Sequence, residues 1–318
     1  MRYNGGMNLE ISGGKRRTGR LAPSPTGALH LGNIRTFMLA WLQMRACGGR
    51  VLLRIEDLDH PKHKAWADAA LIEDLTWLGF DWDEEPVWQS HRLERYQSAF
   101  AQLRSSLYPC FCSRADIQRA QSAPHPGEVL RYPGTCRMQR IEAVDPEKMA
   151  KAAWRLALEA GDVGNFVDGF AGVWTRAAAD LTGDFVVARG EAIAYTLAVV
   201  VDDAAMGVTD VVRGDDILPA TPAQVVLYRR LGLPEPQFYH VPLVVGKDGA
   251  RLAKRHGDTR ISTYRAAGIT ASQILTALAR SCGWLKMNET VSTLAELIPL
   301  FTWETVPSTP FIWDDALL

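Results

Sequence analysis

A chain of 318 residues, 47% hydrophobic and 22% charged, is long enough to bury a substantial core as one large domain with insertions or two smaller ones. No stretch reaches the roughly 18 consecutive apolar residues of a membrane-spanning helix, and the start lacks the apolar centre of a signal peptide, so a cytoplasmic protein with no membrane partner is expected. The net charge of −1 gives no global attraction to nucleic acid, which confines any RNA-binding surface to a local patch.

Residues Met1–Arg17 are rich in Gly, Asn and basic side chains without an apolar period and read as a flexible tail, with Met7 an alternative start. Arg20 to Leu29 is an extended run punctuated by proline. Ile34, Phe37, Met38, Trp41 and Leu42 then recur at helical spacing until Gly48 and Gly49, and Arg50–Ile55 is an apolar run of strand length. Together these form a βαβ unit, the building block of a parallel sheet. A second helix fits Lys62–Leu78, with Ala67, Leu71, Leu75 and Leu78 on one face and Gly79 ending it. Between Tyr108 and Asp145 the periodicity gives way to Cys, Pro, Gly and Arg, the texture of an insertion held by something other than a hydrophobic core. Patterning resumes near Trp154. Ala194–Val201 and Val208–Val212 read as buried strands, Pro219–Leu231 as a helix, and the last sixty or so residues, from Ile261, as mostly helical.

Of the five cysteines, Cys47 and Cys282 stand alone and read as buried structural thiols. Cys110, Cys112 and Cys136 crowd into the insertion, and thiolates at i and i+2 with a third downstream suit a tetrahedral, structural Zn²⁺. On ligand chemistry alone His125 is the obvious fourth donor. Six arginines in the same region (Arg104, Arg114, Arg119, Arg131, Arg137 and Arg140) face only Asp116 and Glu128, which fits an RNA-binding patch or a solvated face equally well. The run from Pro23 to Asn33 lies between a strand and a helix start, where unpaired backbone N–H groups and the helix dipole favour a phosphate, with His30 and Asn33 as side-chain donors. A lone His-x-Gly-Asn fits an ordinary turn better than a phosphate site.

At greater length the chain resembles the catalytic domain of class I glutamyl- and glutaminyl-tRNA synthetases. The likeness runs through Arg20-Leu21-Ala22-Pro23-Ser24-Pro25-Thr26-Gly27 and His30-Leu31-Gly32-Asn33, then Arg54-Ile55-Glu56-Asp57-Leu58-Asp59. It continues through Val201-Asp202-Asp203 and Met206 to Gly214, and closes on Arg251-Leu252-Ala253-Lys254-Arg255, similar to the family's mobile lysine loop. In that loop Arg251 replaces a lysine and Ala253 a serine, so one phosphate donor of the pattern is missing, while Lys254 remains.

The resemblance implies a Rossmann-like parallel α/β sheet over 18–107 and 191–258, split by a zinc-bearing insertion of the acceptor-end type over 108–190 and followed by a helical, stem-contact-like region over 259–318. It implies ATP, with Mg²⁺, and L-glutamate as substrates. ATP contacts would come from Pro23, Thr26, Gly27, His30, Gly32, Asn33 and Lys254, of which His30, Asn33 and Lys254 are the expected catalytic groups. Glutamate carries two carboxylates and an ammonium, which require cationic forks and an acid. Arg20 and Arg213 match the forks, Glu56 the ammonium partner and Tyr195 a hydroxyl beside it, with Ala22 and Ser24 lining the first loop. Tyr132-Pro133-Gly134-Thr135-Cys136 matches the Tyr-x-x-x-Cys of short relatives, so the resemblance favours Tyr132 over His125 as the fourth zinc ligand.

The chain stops where glutamyl-tRNA synthetases continue into an anticodon-binding domain. Its nearest likeness is therefore to the truncated glutamyl-Q tRNA(Asp) synthetases, which implies a monomer that joins glutamate to queuosine in the anticodon loop of tRNA(Asp), with insert arginines such as Arg131 and Arg137 as RNA contacts. A minimal synthetase charging the 3′ end of tRNA(Glu) and a non-catalytic, zinc-stabilised RNA-binding relative are the alternatives.

Overall fold

Strand β1 (Thr18–Leu21) runs through a proline-rich turn into helix α1 (Leu31–Ala46), and the chain returns as β2 (Arg50–Ile55), parallel to β1. The reversal after α1 uses Gly48 at φ +66°, a left-handed conformation that favours glycine. The computed structural model describes residues 16–25, 29–58, 66–120, 131–138, 145–250, 252 and 259–318. Of the expected flexible tail, Arg16 and Arg17 are held: Arg16 Nε donates to Gly48 O at 2.7 Å, and Arg17 pairs with Asp210. Helix α2 (Ala67–Trp77) leads to β3 (Val87–Trp88), parallel to β2; the expected helical stretch before Trp66 lies largely outside the described residues.

After α3 (Leu93–Leu103) the pairing changes sign. β4 (Leu107–Cys110) opens a four-stranded antiparallel sheet with β5 (Ala153–Leu156), β8 (Val186–Arg189) and β9 (Ala192–Ile193), in the order β4-β5-β8-β9. Short helices α4 (Arg114–Ala120), α5 (Pro146–Ala150) and α6 (Ala178–Leu181) and the hairpin of β6 (Phe166–Asp168) and β7 (Gly172–Trp174) fill its connections. The chain then returns through α7 (Tyr195–Ala205) to β10 (Asp210–Gly214), α8 (Thr221–Arg230) and β11 (Gln237–Val241), a second parallel pair. Strand β12 (Val244–Val245), α9 (Ile261–Ala266), α10 (Ala271–Ser281) and β13 (Phe311–Ile312), which pairs parallel with β12, complete the order.

Three expectations change. Ala194–Val201 is not a strand but most of α7: the run is buried on several sides, and a continuous apolar run of that length does not distinguish a buried helix from a buried strand. Beyond α10 the described chain is a 3-10 stretch (Leu294–Leu300), loops and β13 instead of further α-helix. Cys47 is exposed at the C-terminus of α1, its thiol facing Met44 O at 3.3 Å, because the tight glycine turn carries it off the packed face; Cys282 is buried as expected.

The two parallel units meet along β1 and β10, where Thr209 N donates to Thr18 O at 2.8 Å and Thr18 N donates to Thr209 Oγ1 at 2.9 Å. From β1 the chain moves outward one way to β2 and β3, and from β10 it moves the other way to β11. That divergence leaves a crevice beyond the carboxyl ends of β1 and β10, the place where open α/β sheets bind ligands. One apolar core, including Ile34, Met38, Leu53, Leu71 and Leu278, packs α1, α2 and α10 on the first unit. A second, including Leu197, Val200, Val211, Val226 and Phe238, packs α7 and α8 on the other. Each fully buried aliphatic side chain contributes about 1.5–3 kcal/mol, so both walls of the crevice are rigid. Among the described residues no helix is long and apolar enough to cross a membrane.

Candidate active site

Alternation along β1 and β2 brings Arg20 and Arg54 to the crevice among apolar neighbours, and both are buried. Arg54 is fully enclosed. Its guanidinium donates to Asp203 Oδ1 at 2.6 Å and to Glu56 Oε1 at 2.9 Å, while Arg20 donates to Asp203 Oδ1 at 3.4 Å and to Val212 O at 3.1 Å. Burial works against the Asp203 charge, yet Arg54 and Arg20 outweigh it and hold the carboxyl below the usual range. At Glu56 burial wins over Arg54 and lifts the carboxyl. Glu56 Oε2 has no protein donor among the described residues. Asp202, next to Asp203 on α7, points away and is satisfied by Arg92, Gln89 and Tyr96 at 2.6–2.9 Å.

Arg213, on β10, is the third guanidinium of the cluster, and among the described residues it has no carboxylate partner. Its Nε donates to His240 Nε2 at 2.9 Å and its Nη2 to Thr221 Oγ1 at 2.7 Å, while the buried Nη1 meets no acceptor among the described residues. Burial, together with repulsion from Arg20, pushes its pKa down. His240 is also buried; burial pushes its pKa down to about 4 even though Nδ1 sits 2.6 Å from Asp168 Oδ2, so the imidazole is neutral near pH 7. Among the described residues Arg20 and Arg54 thus pair with the carboxylates Asp203 and Glu56, whereas Arg213 contacts neither, and a third buried carboxylate, Asp168, reaches it only through His240.

Tyr195 opens α7 at the mouth of this cluster. The residue is 41% exposed, but its hydroxyl end is crowded: burial there and the Glu56 charge raise its pKa, with Arg213 and Arg20 acting in the opposite sense. Ala22 and Ser24 follow β1 on the same loop, and Pro23 O accepts from Glu56 N at 2.9 Å, tying that loop to the end of β2.

His30 and Asn33 lie at the N-terminus of α1, where Asn33 Oδ1 accepts from His30 N at 3.4 Å. Leu31 N donates to Thr259 O at 3.2 Å and Ile261 N to Leu29 O at 3.0 Å, so the His-x-Gly-Asn turn is stitched to the chain that follows the lysine-loop sequence. An added Cβ at Gly32 would make only ordinary contacts, 3.4 Å from the His30 ring and 3.8 Å from Val244, so packing does not demand glycine there. Thr26, Gly27 and Lys254, and with them Arg251 and Ala253, lie outside the described residues.

In the insertion, the Sγ atoms of Cys110, Cys112 and Cys136 all lie within 4.8 Å of one another, with Cys112 and Cys136 at 3.6 Å. Sulfurs on a tetrahedral Zn²⁺, at about 2.3 Å from the ion, are about 3.8 Å apart, so this group could hold a metal with small adjustments. Burial and the Cys136 thiol push Cys112 up to about 12, a penalty on the thiolate that a bound cation would reverse. Tyr132 Oη is 3.4 Å from Cys110 Sγ and accepts from Cys136 N at 2.7 Å, while the Arg155 guanidinium lies 3.7 Å over its ring. His125 lies outside the described residues.

The arginines around this group are not uniformly available. Arg137 pairs with Asp184 at 3.3 Å and donates to Leu158 O at 2.7 Å, Arg131 donates to Ala179 O at 2.7 Å, and Arg104 stacks on Trp154. Arg114 and Arg119 project from the exposed helix α4, whereas Arg140 lies outside the described residues.

Residues 17–317 match the model of the tRNA synthetases class I (E and Q), catalytic domain. The chain belongs to this family of class I synthetases. Its similar relatives include the glutamyl-Q tRNA(Asp) synthetase of Symbiobacterium thermophilum, 46% identical over 311 residues, an alignment covering 92% of this chain and 94% of that one. The glutamate–tRNA ligase 2 of Halorhodospira halophila is 40% identical over 89% of this chain, but the match covers 60% of that enzyme. The fold is also that of a solved glutamate tRNA ligase from Elizabethkingia meningosepticum, with a TM-score of 0.79 and 24% identity over 95% of this chain and 68% of the other.

The structure brings Arg20, Glu56, Tyr195 and Arg213 around one crevice, and adds residues that the motifs contained without assigning. Arg54 and Asp203 lie inside quoted runs. His240, Thr221 and Asp168 lie outside them, and nothing in their local patterns marks them. Arg54→Met would leave Glu56 without its partner and Asp203 with only the longer Arg20 contact, so it is expected to cost about 3–5 kcal/mol in urea unfolding. A loss below about 1 kcal/mol would show that the pairing is not needed to hold the crevice.

Proposed function

We propose that the protein activates L-glutamate with ATP and Mg²⁺ and transfers it to the queuosine base in the anticodon loop of tRNA(Asp), acting as a cytoplasmic monomer. The observation that carries this reading is Arg213, a buried guanidinium that among the described residues has an unpartnered Nη1 and no carboxylate of its own. Such a site is completed by an anion, and a substrate carboxylate supplies it. Glu56 Oε2 and the Tyr195 hydroxyl then meet the ammonium, and Arg20 supplies the second cationic side, with Ala22 and Ser24 lining the loop.

The triphosphate would lie at the N-terminus of α1, over Pro23, Gly32, His30 and Asn33, with Thr26, Gly27 and Lys254 completing its contacts. A close phosphate would account for Gly32, which packing does not require. The glutamate α-carboxylate attacks the α-phosphate and pyrophosphate leaves; a queuosine hydroxyl then attacks the acyl carbon of glutamyl-adenylate and AMP departs. Both steps depend on positioning and charge, with no covalent enzyme intermediate. Five relatives named glutamyl-Q tRNA(Asp) synthetase, 41–46% identical to this chain, support the queuosine acceptor over the 3′ end, although a sixth, at 40%, is level with two glutamate–tRNA ligases at 39–40%.

Cys110, Cys112, Cys136 and Tyr132 would hold Zn²⁺, which fixes a loop-rich segment that lacks a large core of its own. Within that segment, exposed Arg114 is a better RNA contact than Arg137, which is committed to Asp184 and Leu158, while Arg119 is exposed but paired with Asp116.

Labelled glutamate is expected to enter tRNA(Asp) that carries queuosine and not tRNA(Asp) that lacks it; labelling of tRNA(Glu) instead would make the protein an acceptor-charging synthetase. Metal analysis is expected to find about one zinc per chain, lost on Cys136→Ser. A zinc content near zero in the native protein would remove the assignment.

A further inference from the structure

We infer that Asp168 and His240 are positioning residues for Arg213, turning its guanidinium toward the bound anion without neutralising it. This rests on the reading of the crevice as a glutamate site. Asp168 closes β6 and accepts from Phe170 N at 2.9 Å, Ala171 N at 2.7 Å and His240 N at 3.1 Å. It is an acceptor on every side, so the 2.6 Å contact with His240 Nδ1 places the ring proton on Nδ1. At the far side of the ring, Arg213 Nε–H can only donate, so His240 Nε2 accepts, and the imidazole is held as one neutral tautomer.

That arrangement does something a direct ion pair would not. A carboxylate on Arg213 would orient it as firmly but cancel its charge, leaving less attraction for a substrate anion. With a neutral imidazole interposed, the Asp168 charge sits one ring further away and acts on Arg213 mainly by fixing the acceptor. Thr221 grips the Nη2 corner at 2.7 Å, so one edge of the planar fork is held from both ends and Nη1 projects from the other. The charged groups that bear on the ring are Asp168, Arg213 and Arg20, and the two arginines oppose its protonation.

Two measurements test this. The first needs no substrate: ¹⁵N spectra of histidine-labelled protein, with the His240 signals among the seven histidines assigned by their loss in His240→Gln, report the tautomer. A protonated Nδ1 and a lone pair on Nε2 from about pH 5 to pH 8 are expected, and an imidazolium or the Nε2–H tautomer in that range would overturn the proposal. The second compares variants in glutamate transfer. His240→Leu removes the acceptor, and Asp168→Asn offers an amide donor to Nδ1 and so favours the wrong tautomer. Both are expected to raise the glutamate KM about 10- to 100-fold with little change in kcat or in the KM for ATP. His240→Gln, which keeps an oxygen acceptor at the Nε2 position, is expected to restore most of the loss. An unchanged glutamate KM in His240→Leu, or a Gln variant as impaired as Leu, would contradict the positioning role. An inactive native protein would count against the proposed function, while the spectra would still decide the tautomer.

Discussion

The structure turns on an uneven pairing of charges in a buried crevice. Burying a guanidinium costs several kcal/mol unless it is paired, and this crevice buries three, Arg20, Arg54 and Arg213, of which Arg20 and Arg54 contact the carboxylates Asp203 and Glu56. Arg54 is enclosed and repaid by Asp203 and Glu56. Among the described residues Arg213 is held only by neutral acceptors, so its charge is kept for something that comes from solvent. Stability is sacrificed locally to pre-organise binding, and the two apolar cores on either side supply the rigidity that lets the imbalance persist.

The fold makes this possible through the divergence of β1 and β10. Each strand delivers one arginine to the same crevice, and α7, entering from the antiparallel insertion, brings Asp203 beneath them and Tyr195 at the mouth. The α1 N-terminus lies beyond the same end of the sheet, stitched to Thr259 and Ile261. An amino acid on one side and a phosphate chain on the other would therefore meet over β1. The insertion uses a different principle. Its small core of Tyr108, Cys110, Tyr132, Cys136 and Ala153 is tied by the buried Asp184 and by the three thiols that could share a metal.

What was legible in the sequence was what chemistry leaves in short runs. The βαβ unit followed from periodicity and from glycine at the turn, and the Cys-x-Cys pair with Cys136 announced a compact thiol group. Arg20, Glu56 and Arg213 stood in motifs long enough to be assigned together. The partners that discipline these residues were not legible. Asp168 and His240 are 72 positions apart and meet only because β6 is folded against β11. Helix α7 was misread because its buried faces leave no polar stripe. Arg137 looked like a surface cation because its acceptors, Asp184 and Leu158, come from the far side of the insertion.

The claim that the excess charge at Arg213 selects an acidic substrate is tested most directly by comparing L-glutamate with its neutral isostere L-glutamine in ATP-dependent pyrophosphate exchange, with tRNA(Asp) present. With the side-chain carboxylate of glutamate on Arg213, the account predicts at least about 100-fold higher kcat/KM for glutamate, because the side-chain amide of glutamine leaves the buried guanidinium without a counter-charge. Comparable activation of the two would mean that Arg213 is balanced by something else, and that the crevice is not organised around a missing anion.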